Sequence, residues 1–508
     1  MKTKTIIILF VIFTITILSC IIYKKNKVSI STIERSNSNL EKIVSIKNLN
    51  IDKIKQINIE VSGEEADTLN YDVNIEELKE LNKKNNNILK IPIRYLIAGK
   101  ISNILINIIK NDNKRIELRF KIKTDISKKI KNSFPYIKAI KYKEIKNRLY
   151  CFILWLALDQ NKKPIMKTDF FPILVDSKAN IRAFDKSFIN KISCLKQIPK
   201  KVLNFKLDIE RYPIYLKDKK HLIVFASDEK RKTITDFILE IDSNNNVIKE
   251  IDLTKVLDVY RQSQLDINNH HNKDGHDWLH PNSMVYDKKD DSIIVSARHQ
   301  GVFKVDLNGK LKWLLSPHKG WKQEYKKYLL KAINSKNEIL SNNIQDGIEN
   351  YKDNNEEFEW CWGQHSVQLL NNNDILVFDN GFLRNFSNQD YYDHYSRVVI
   401  YRVDEKNMTV KQIWQYGKEL GKSFSSPRGC TVYAYNETVF VNSSFIDKEK
   451  ENANPCRIMG TVKEINIKTN DIQTDFYFDF RNYIEDKDHY WFDEIWDARI
   501  VNIDDIEK

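Results

Sequence analysis

One unit recurs along the chain: an apolar strand that ends in Asp or Asn, a polar turn, and a second apolar strand. The residue that opens the turn is Asp176, Asp242, Asp306, Asp404 or Asn466, so the intervals are 66, 64, 98 and 62 residues. A sheet built from such hairpins cannot bury both of its faces alone, whereas stacking the sheets around an axis buries them. The repeat therefore predicts an all-β fold, a β-propeller. An array of two-sheet sandwiches is the structural alternative.

The copies also predict how the chain is divided. Five hairpins and a terminal remnant at residues 491–501 fit about six blades. The long interval holds an insertion at 318–357, in which the apolar spacing over 325–333 predicts a helix. Residues 88–124 alternate apolar and polar side chains, which is typical of half-buried strands. The predicted divisions are a signal or anchor segment at 1–27, an N-terminal β-sandwich-like domain at 28–130, and a six-bladed propeller at 131–508.

The N-terminal segment carries an export pattern. Lys2 and Lys4 precede an uncharged apolar run of eighteen residues, 6–23, and lysines follow it. This run is longer than a usual signal-peptide core and close to the length of a membrane span. The residues before Cys20 also resemble a lipobox, in which Cys20 would be lipidated. A lipoprotein signal and an uncleaved anchor are equal alternatives, and both predict an exported, membrane-tethered, periplasmic protein.

Composition excludes several other classes. The formal net charge is +13, but no arginine stripe interleaved with aromatic residues is present, which argues against nucleic-acid binding. The mean hydropathy of −0.51 excludes a polytopic membrane protein. Beyond Cys20 there are five cysteines and no CxxC pair, so the sequence supports neither a zinc ribbon nor a redox dithiol.

Candidate functional residues concentrate in the hairpin unit around Asp306. The segment HDWLHPNSMVYD at 276–287 is followed by a predicted strand at 292–297 that leads into Arg298. His280 and Asn282 are two residues apart, so on an extended strand they share a face. The hairpin brings Arg298 to the same edge. Two polar donors and a guanidinium that converge there predict an oxyanion site.

A second segment, WCWGQHSVQLL at 360–370, lies in the next unit. His365 occupies the strand start equivalent to that of His280, where it would face the central channel of a propeller. Both segments would then open onto the same channel mouth. The alternatives are structural: His365 could be a satisfied core histidine, and Arg298 could pair with Asp277 or Asp287.

At these residues the chain resembles the bacterial arylsulfate sulfotransferase family. The blocks DWLHPNS, SARHQG, WGQH and FDNG stand in the family's order and spacing. The resemblance implies a six-bladed propeller with an N-terminal β-sandwich. It also implies transfer of a sulfuryl group from a phenolic sulfate donor to a phenol acceptor, with no nucleotide and no other cofactor. By resemblance, His365 is the nucleophile that becomes sulfated, and His280, Asn282 and Arg298 bind the sulfuryl oxygens.

Elementary chemistry agrees with these roles. A transferring sulfuryl group carries negative charge on its oxygens, which preorganised cationic and amide donors stabilise. Neutral imidazole is a competent nucleophile, and an N-sulfated imidazole is a good leaving group, which permits ping-pong transfer. The phenol acceptor must lose a proton and the released phenolate must gain one, so a general acid/base is expected.

The chain departs from the family in two places. The family carries a further channel histidine in an earlier blade, whereas the comparable stretch here, residues 211–218, contains none. Either proton transfer uses another group, such as His276, or the activity of this protein is weakened or altered. The family often has a disulfide just before the nucleophile, whereas only Cys361 stands there in this chain.

Two other functions compete with sulfuryl transfer. A metal-dependent hydrolase could use His271, His276 and His280, which are spaced five and four residues apart, although the segment lacks helical patterning and a recognised carboxylate ligand. A non-catalytic propeller could bind a sulfated aryl ligand. The sequence leaves open whether the protein is a monomer or a homodimer.

Overall fold

The computed structural model describes most of the chain, largely as antiparallel β-sheet. The described residues are 28–35, 40–83, 87–125, 136–155, 170–184, 199–208, 211, 213–216, 218–231, 233–261, 271–272, 275–387, 395–424, 432–446, 458–479 and 494–506. In these ranges the α-helices are Ile75–Asn82, Asn342–Gln345 and Ile503–Ile506, and the 3-10 helices are Ile51–Lys53, Leu253–Lys255, Gln323–Tyr328, Arg384–Phe386 and Lys418–Phe424. None of these helices is long and apolar enough to cross a membrane. The predicted signal or anchor, with Cys20, lies outside the described residues.

Two sheets form the N-terminal part. The first contains strands Ser29–Arg35, Lys42–Lys47 and Ile88–Ile93, and the second contains Leu69–Asp72, Ile54–Ser62, Ile101–Lys110 and Arg115–Lys123. Apolar and polar residues alternate along the strands, so each sheet turns one apolar face inward. Ile46 and Ile91 of the first sheet and Ile59 and Ile106 of the second enter one core. That core also includes Phe152 of the repeat region. The domain boundary at residue 130 stays a prediction.

The described residues form five other large sheets, which we call blades one to five in chain order. Blade one contains Ile181–Ala183, Phe170–Val175, Arg148–Trp155 and Glu494–Asn502; blade two contains Lys201–Val202, Phe205–Asp208, Ile214–Leu216, His221–Asp228, Phe237–Ile241 and Val247–Asp252. Blade three contains Pro281–Asp287, Ser292–Ala297, Gly301–Asp306 and Leu311–Leu315; blade four contains His365–Leu369, Asp374–Asp379, Arg397–Asp404, Thr409–Tyr416 and Lys331–Ala332. Blade five contains Val432–Tyr435, Thr438–Ile446, Ile458–Asn466, Ile472–Asp479 and Tyr136–Lys141. Two small hairpins pair His271–Asn272 with Gly275–His276 and Tyr351–Asp353 with Glu356–Phe358.

The repeated Asp or Asn residues all open turns of one kind. In blade three, Asp306 Oδ1 accepts the backbone N–H groups of Asn308 and Lys310, each at 2.9 Å. Asp242 accepts two backbone N–H groups in the same way in blade two, at 2.8 Å each. Such Asx turns set the direction of the chain locally. The repeat was visible in the sequence because every blade uses this turn at the same hairpin.

Neighbouring blades share their apolar side chains. In strand Ser292–Ala297, Ile293 packs into a core with Phe225 of blade two, whereas Ile294 packs into a core with Val377 of blade four. Successive residues of a strand point to opposite faces, so a strand between two neighbours is apolar throughout. Blades four and five, and blades five and one, also share cores. This succession of stacked sheets defines an all-β propeller.

The terminal remnant belongs to blade one. Strand Glu494–Asn502 pairs antiparallel with Arg148–Trp155, so it completes that sheet rather than beginning another. The described residues contribute five blades, and a sixth stays a prediction.

The helix predicted over 325–333 is wrong beyond Tyr328. A 3-10 helix ends there, and the chain continues extended. The N–H of Leu330 donates to Leu314 O of blade three at 2.9 Å, and that of Ile333 donates to Val410 O of blade four at 3.0 Å. The apolar residues that mimic helical spacing are therefore buried individually against two blades. Helical backbone bonds would compete with these contacts.

Candidate active site

The first strand of blade three begins with an irregular backbone. His280 has a positive φ of 49°, and the pairing of Pro281–Asp287 with Ser292–Ala297 slips between Pro281 and Ser283. The argument that His280 and Asn282 share the face of an extended strand is therefore wrong, because His280 precedes the strand in a left-handed conformation. Both side chains still reach the start of blade four, as the contacts below establish. A non-glycine residue held at positive φ is strained and is often found at functional sites.

Asp277 holds His280 in place. The carboxylate accepts the backbone N–H of His280 at 3.1 Å with one oxygen and faces the ring Nδ1 at 2.5 Å with the other. A carboxylate only accepts, so Nδ1 carries the proton and Nε2 is left for chemistry. Burial, reinforced by Arg211 and Arg298, lowers the pKa of His280, while Asp277 opposes this shift. Sequence reasoning had considered Asp277 only as a partner of Arg298.

Arg298 lies in the turn after Ser292–Ala297, as predicted. Its backbone N–H donates to His280 O at 3.0 Å, which fixes the two residues next to each other. The guanidinium carbon lies 4.9 Å from the centroid of the Phe382 ring, which belongs to blade four. Asp287, the other acid considered as a partner for Arg298, pairs with Lys304 at 2.7 Å.

Asn282 ties blade three to the residue before His365. Its Nδ2 donates to Gln364 O at 2.7 Å, and its Oδ1 accepts from Ser283 Oγ at 3.1 Å. Gln364 in turn donates from Nε2 to Ala297 O at 2.9 Å. The predicted substrate-binding residue Asn282 thus has a positioning contact that sequence reasoning did not anticipate.

His365 begins the first strand of blade four, and its partner is Asn380. Nδ1 of His365 lies 2.7 Å from Asn380 Oδ1. A carboxamide oxygen only accepts hydrogen bonds, so Nδ1 carries the proton and the Nε2 lone pair is the nucleophilic one. The strand slips in register after His365, where Ser366 has φ of 62°. The rings of His365 and His280 are 6.4 Å apart between centroids.

The environment keeps His365 neutral. Burial, followed by the charges of Arg298 and His280, lowers its pKa to about 3, although the bonds to Asn380 and to the Gly363 backbone oppose the shift. At neutral pH the imidazole therefore carries no charge, which is the state a nucleophile requires.

Buried ion pairs support the turn that carries Asn380. Asp379 accepts the backbone N–H of Trp362 at 2.9 Å and that of Gly381 at 3.0 Å, and it pairs with Arg397 at 2.8 Å. Glu359 forms an ion pair with Arg384 and accepts a hydrogen bond from the Tyr395 hydroxyl at 2.7 Å. These residues were not identified from the sequence, since their contacts join separate turns.

Gly381 is required in that turn. It has φ of 80°, and a Cβ at this position would collide with the Tyr395 carbonyl. The glycine of the FDNG block is thus explained by backbone geometry.

Arg211 supplies a cation that sequence reasoning missed. Its guanidinium donates to Pro281 O and pairs with Asp208 at 2.8 Å. The charge of Arg211 contributes to the lowered pKa values of both His280 and Asp277. The stretch that lacks the family's early-blade histidine therefore contributes an arginine next to the site.

For two of the predicted histidines and for four of the six cysteines, the structure describes no side chain. The side chains of His271 and His276 are not described, and within the described residues no group of three or more histidines, cysteines or acids is arranged to hold a metal. Cys361 is a free, buried thiol whose pKa is raised by burial. The cysteines at 20, 194, 430 and 456 also lie outside the described residues.

Comparison with known proteins identifies the family. Residues 213–490, over half of the chain, match the family model "Arylsulfotransferase (ASST)", and the chain belongs to that family. It is 36% identical over 275 residues to arylsulfate sulfotransferase AssT of Lelliottia amnigena, which covers 48% of this chain and 44% of that protein. It is 35% identical over 224 residues to AssT of Escherichia coli O6:H1, which covers 38% and 37%. The matches thus span less than half the length of these curated relatives.

Similarity to solved structures is weak. The Dos1 propeller is 8% identical, covers 54% of this chain and 63% of its own, and gives a TM-score of 0.25. A DUF4623 family protein from Bacteroides eggerthii is 9% identical, covers 89% and 98%, and also gives a TM-score of 0.25. The fold assignment therefore rests on the chain's own sheets.

Proposed function

We propose that the protein transfers a sulfuryl group from a phenolic sulfate ester to a phenol by a ping-pong mechanism through sulfated His365. The observation that carries this proposal is a neutral histidine, oriented by Asn380, beside Arg298 and His280. A covalent intermediate divides one transfer between two phenolic oxygens into two displacements at a single sulfur.

In the first half-reaction, Nε2 of His365 attacks the sulfur and the sulfur–oxygen bond to the phenol breaks. The electron pair of that bond leaves with the phenolate. The ring becomes an N-sulfated imidazolium, whose Nδ1–H points at Asn380 Oδ1. In the second half-reaction, an acceptor phenol takes the sulfuryl group and the neutral imidazole returns.

Arg298 stabilises the charge on the sulfuryl oxygens. A guanidinium presents forked donors to an oxyanion, and it stays charged throughout the reaction. Asn282 and His280 complete this side of the site, and Asn282 also fixes the backbone carbonyl next to His365.

The Asp277–His280 pair is the general acid/base that replaces the missing histidine. His280 in its neutral form, which its lowered pKa favours, takes a proton from the acceptor phenol, and the imidazolium formed in this way gives that proton to the leaving phenolate of the next cycle. Asp277 accepts from Nδ1 and stabilises the charged ring, as a carboxylate does for other catalytic histidines. Protons therefore balance over one full cycle.

The decisive experiment is donor turnover without acceptor. The protein should release about one phenol per active site in a burst and gain the mass of one SO3 group on the peptide bearing His365. His365→Ala should lose both the burst and the label. His221→Ala is a matched control, because His221 lies in blade two and contacts Glu240 at 2.7 Å. A burst in folded His365→Ala, or a label on another residue, contradicts the assignment.

The acid/base role has its own test. With phenols of high pKa as leaving groups, Asp277→Asn and His280→Ala should each lose about 10²–10⁴-fold in the burst rate. With an acidic nitrophenol as leaving group, the loss should be much smaller, because the leaving group needs no proton. An equal loss for both donors would mean that the pair binds the sulfuryl group instead.

The same experiments separate the alternatives. Tight aryl sulfate binding with no burst and no label would favour a non-catalytic binding propeller. Phenol release with water as acceptor, abolished by a chelator, would favour a metal-dependent hydrolase.

We also propose that the protein is tethered to the membrane and faces the periplasm, on the strength of the apolar run at 6–23 and the lipobox-like Cys20. Recovery of the full-length chain in the soluble cytosolic fraction contradicts this. A homodimer stays a prediction that sedimentation of the purified protein tests.

A further inference from the structure

A small cavity lies between the turn of blade three that carries Arg298 and the segment that leads into blade four. Its walls include Arg261, Arg298, Gln300 and Trp362, and its volume is about 40 Å³. A buried water molecule needs roughly 10–15 Å³ of such a volume, so the cavity holds about two or three particles of that size. It is too small for an aromatic substrate.

Arg261 brings a buried positive charge to this cavity. The residue is only 3% exposed, and its Nη2 donates to the backbone oxygens of Pro317 and Lys319 at 3.1 Å each. Within the described part of the chain its guanidinium forms no ion pair, and the nearby carboxylate of Asp258 is paired with Lys322 at 3.0 Å. Buried charges are normally paired, because removal of an ion from water is costly without a counter-charge.

The electrostatics of the cavity favour an anion. Burial lowers the pKa of Arg261 to about 9, and the charge of Asp258 opposes this shift only in part. The guanidinium is still protonated at neutral pH, so its positive charge persists. Arg298 lines the same cavity and brings a second charge of the same sign, which repels the first. A negative charge between the two arginines would offset this repulsion.

Two hydrogen-bond donors on the wall require an acceptor. Trp362 is 6% exposed, and among the described residues neither its Nε1 nor Arg261 Nε has a hydrogen-bond partner. Both groups can only donate, and buried donors in folded proteins are nearly always satisfied. This observation is independent of the missing ion pair, and it also indicates an acceptor inside the cavity.

Gln300 requires a donor in the same place. Its Oε1 is buried with no partner among the described residues, while its Nε2 donates to Asp258 O at 3.4 Å. An anion alone would face this oxygen unfavourably. A water molecule beside the anion removes the conflict, because one O–H can donate to Gln300 and the other to the anion. The cavity has room for both.

We propose that this cavity binds one chloride ion together with one water molecule. Chloride is only slightly larger than water and accepts hydrogen bonds from N–H groups, here those of Arg261 Nε and Trp362 Nε1. Sulfate and phosphate each have four oxygens of about the size of a water molecule, which exceeds the space. The chloride stabilises the contact between blades three and four, and its binding does not depend on the proposed sulfuryl transfer.

The test measures the thermal unfolding of the full-length protein at constant ionic strength. Sodium chloride replaces sodium gluconate in steps, since gluconate is too large to enter. A ligand that binds only the folded state raises the Tm as its concentration increases, so the Tm should rise by about 2–4 °C and then level off. Sodium bromide should give the same rise, and a crystal soaked in bromide should show an anomalous peak between Arg261 Nε and Trp362 Nε1.

Two substitutions assign the rise in Tm to the cavity. Arg261→Gln removes the positive charge, and Trp362→Phe removes the indole N–H and keeps an aromatic ring. Each should abolish the dependence on chloride, and Trp362→Phe serves where Arg261→Gln fails to fold. Arg231→Gln is the matched control, because Arg231 pairs with Asp252 at 2.8 Å in blade two; this variant should keep the full rise.

Three results overturn the proposal. They are a Tm of the parent protein that does not respond to chloride, a rise that persists unchanged in the folded cavity variants, and a bromide-soaked crystal in which the cavity holds only water.

Discussion

Replacing Asn380 with alanine removes the acceptor that holds the proton of His365 on Nδ1. In the parent protein the two atoms are 2.7 Å apart, and in the proposed mechanism the ring becomes positively charged when Nε2 attacks sulfur. In that mechanism the hydrogen bond strengthens as the reaction proceeds, so Asn380 is expected to stabilise the transition state. Its removal also takes away one of the two hydrogen bonds of the ring, the other being to the Gly363 backbone, and so weakens the preference for the tautomer in which Nε2 can attack.

The magnitude follows from the change in charge. A hydrogen bond to a charged group contributes about 1.5–3 kcal/mol, which corresponds to a loss of about 10- to 150-fold in rate. Rapid-quench measurement of phenol release without acceptor should show that loss in the burst rate. The burst amplitude should remain at about one per site, because the nucleophile is still present.

The control is Ser396→Ala. Ser396 Oγ donates a hydrogen bond to the backbone oxygen of Asn380 at 3.0 Å, whereas His365 is bonded to the side chain of Asn380. It should leave the burst rate close to that of the parent. A folded Asn380→Ala variant with the parental burst rate would refute the idea that this side chain orients and stabilises the nucleophile.

Three further predictions follow from the same contacts. Because burial lowers the pKa of His365 to about 3, the imidazole becomes protonated only as the pH falls through that value. The burst rate with a nitrophenol leaving group should therefore stay constant from pH 7 to about 4. A fall in the burst rate near pH 6.5, the ordinary pKa of histidine, would contradict the lowered pKa. Arg298→Lys should lose about 10²–10³-fold in turnover while circular dichroism shows a native fold, since lysine lacks the forked donors; a near-normal rate would make Arg298 structural. Arg397→Met removes a buried positive charge that pairs with both Asp379 and Glu359. Urea denaturation should therefore show a loss of about 3–5 kcal/mol in the free energy of unfolding. An unchanged urea midpoint would contradict a stabilising role for these ion pairs.

The sequence revealed those features that depend on nearby residues. The Asx turn at Asp306 joins residues four positions apart, and the alternation of Ile293 and Ile294 between two cores is a period-two pattern. The family blocks added His280, Arg298 and His365, and the turn after Ser292–Ala297 carries Arg298 as predicted. Local chemistry and short hairpins were sufficient for these.

The remaining features depend on the folded backbone. The His280–Asp277 contact needs the positive φ of His280, which no pattern of residue types predicts. Arg211 approaches the site from another blade, and its contact with Pro281 joins residues far apart in the chain. The helix predicted over 325–333 was wrong because its apolar residues are matched to separate neighbours, which a one-dimensional pattern does not distinguish from a helical face.

Strand Glu494–Asn502 lies in the same sheet as Arg148–Trp155, which stands far earlier in the sequence, and this has a consequence for folding. Until the two strands pair, Arg148–Trp155 has one uncovered edge. Uncovered strand edges pair with strands of other chains, and contacts between distant parts of a chain form slowly. Removal of residues 494–506 should therefore produce aggregates rather than a slightly smaller folded protein.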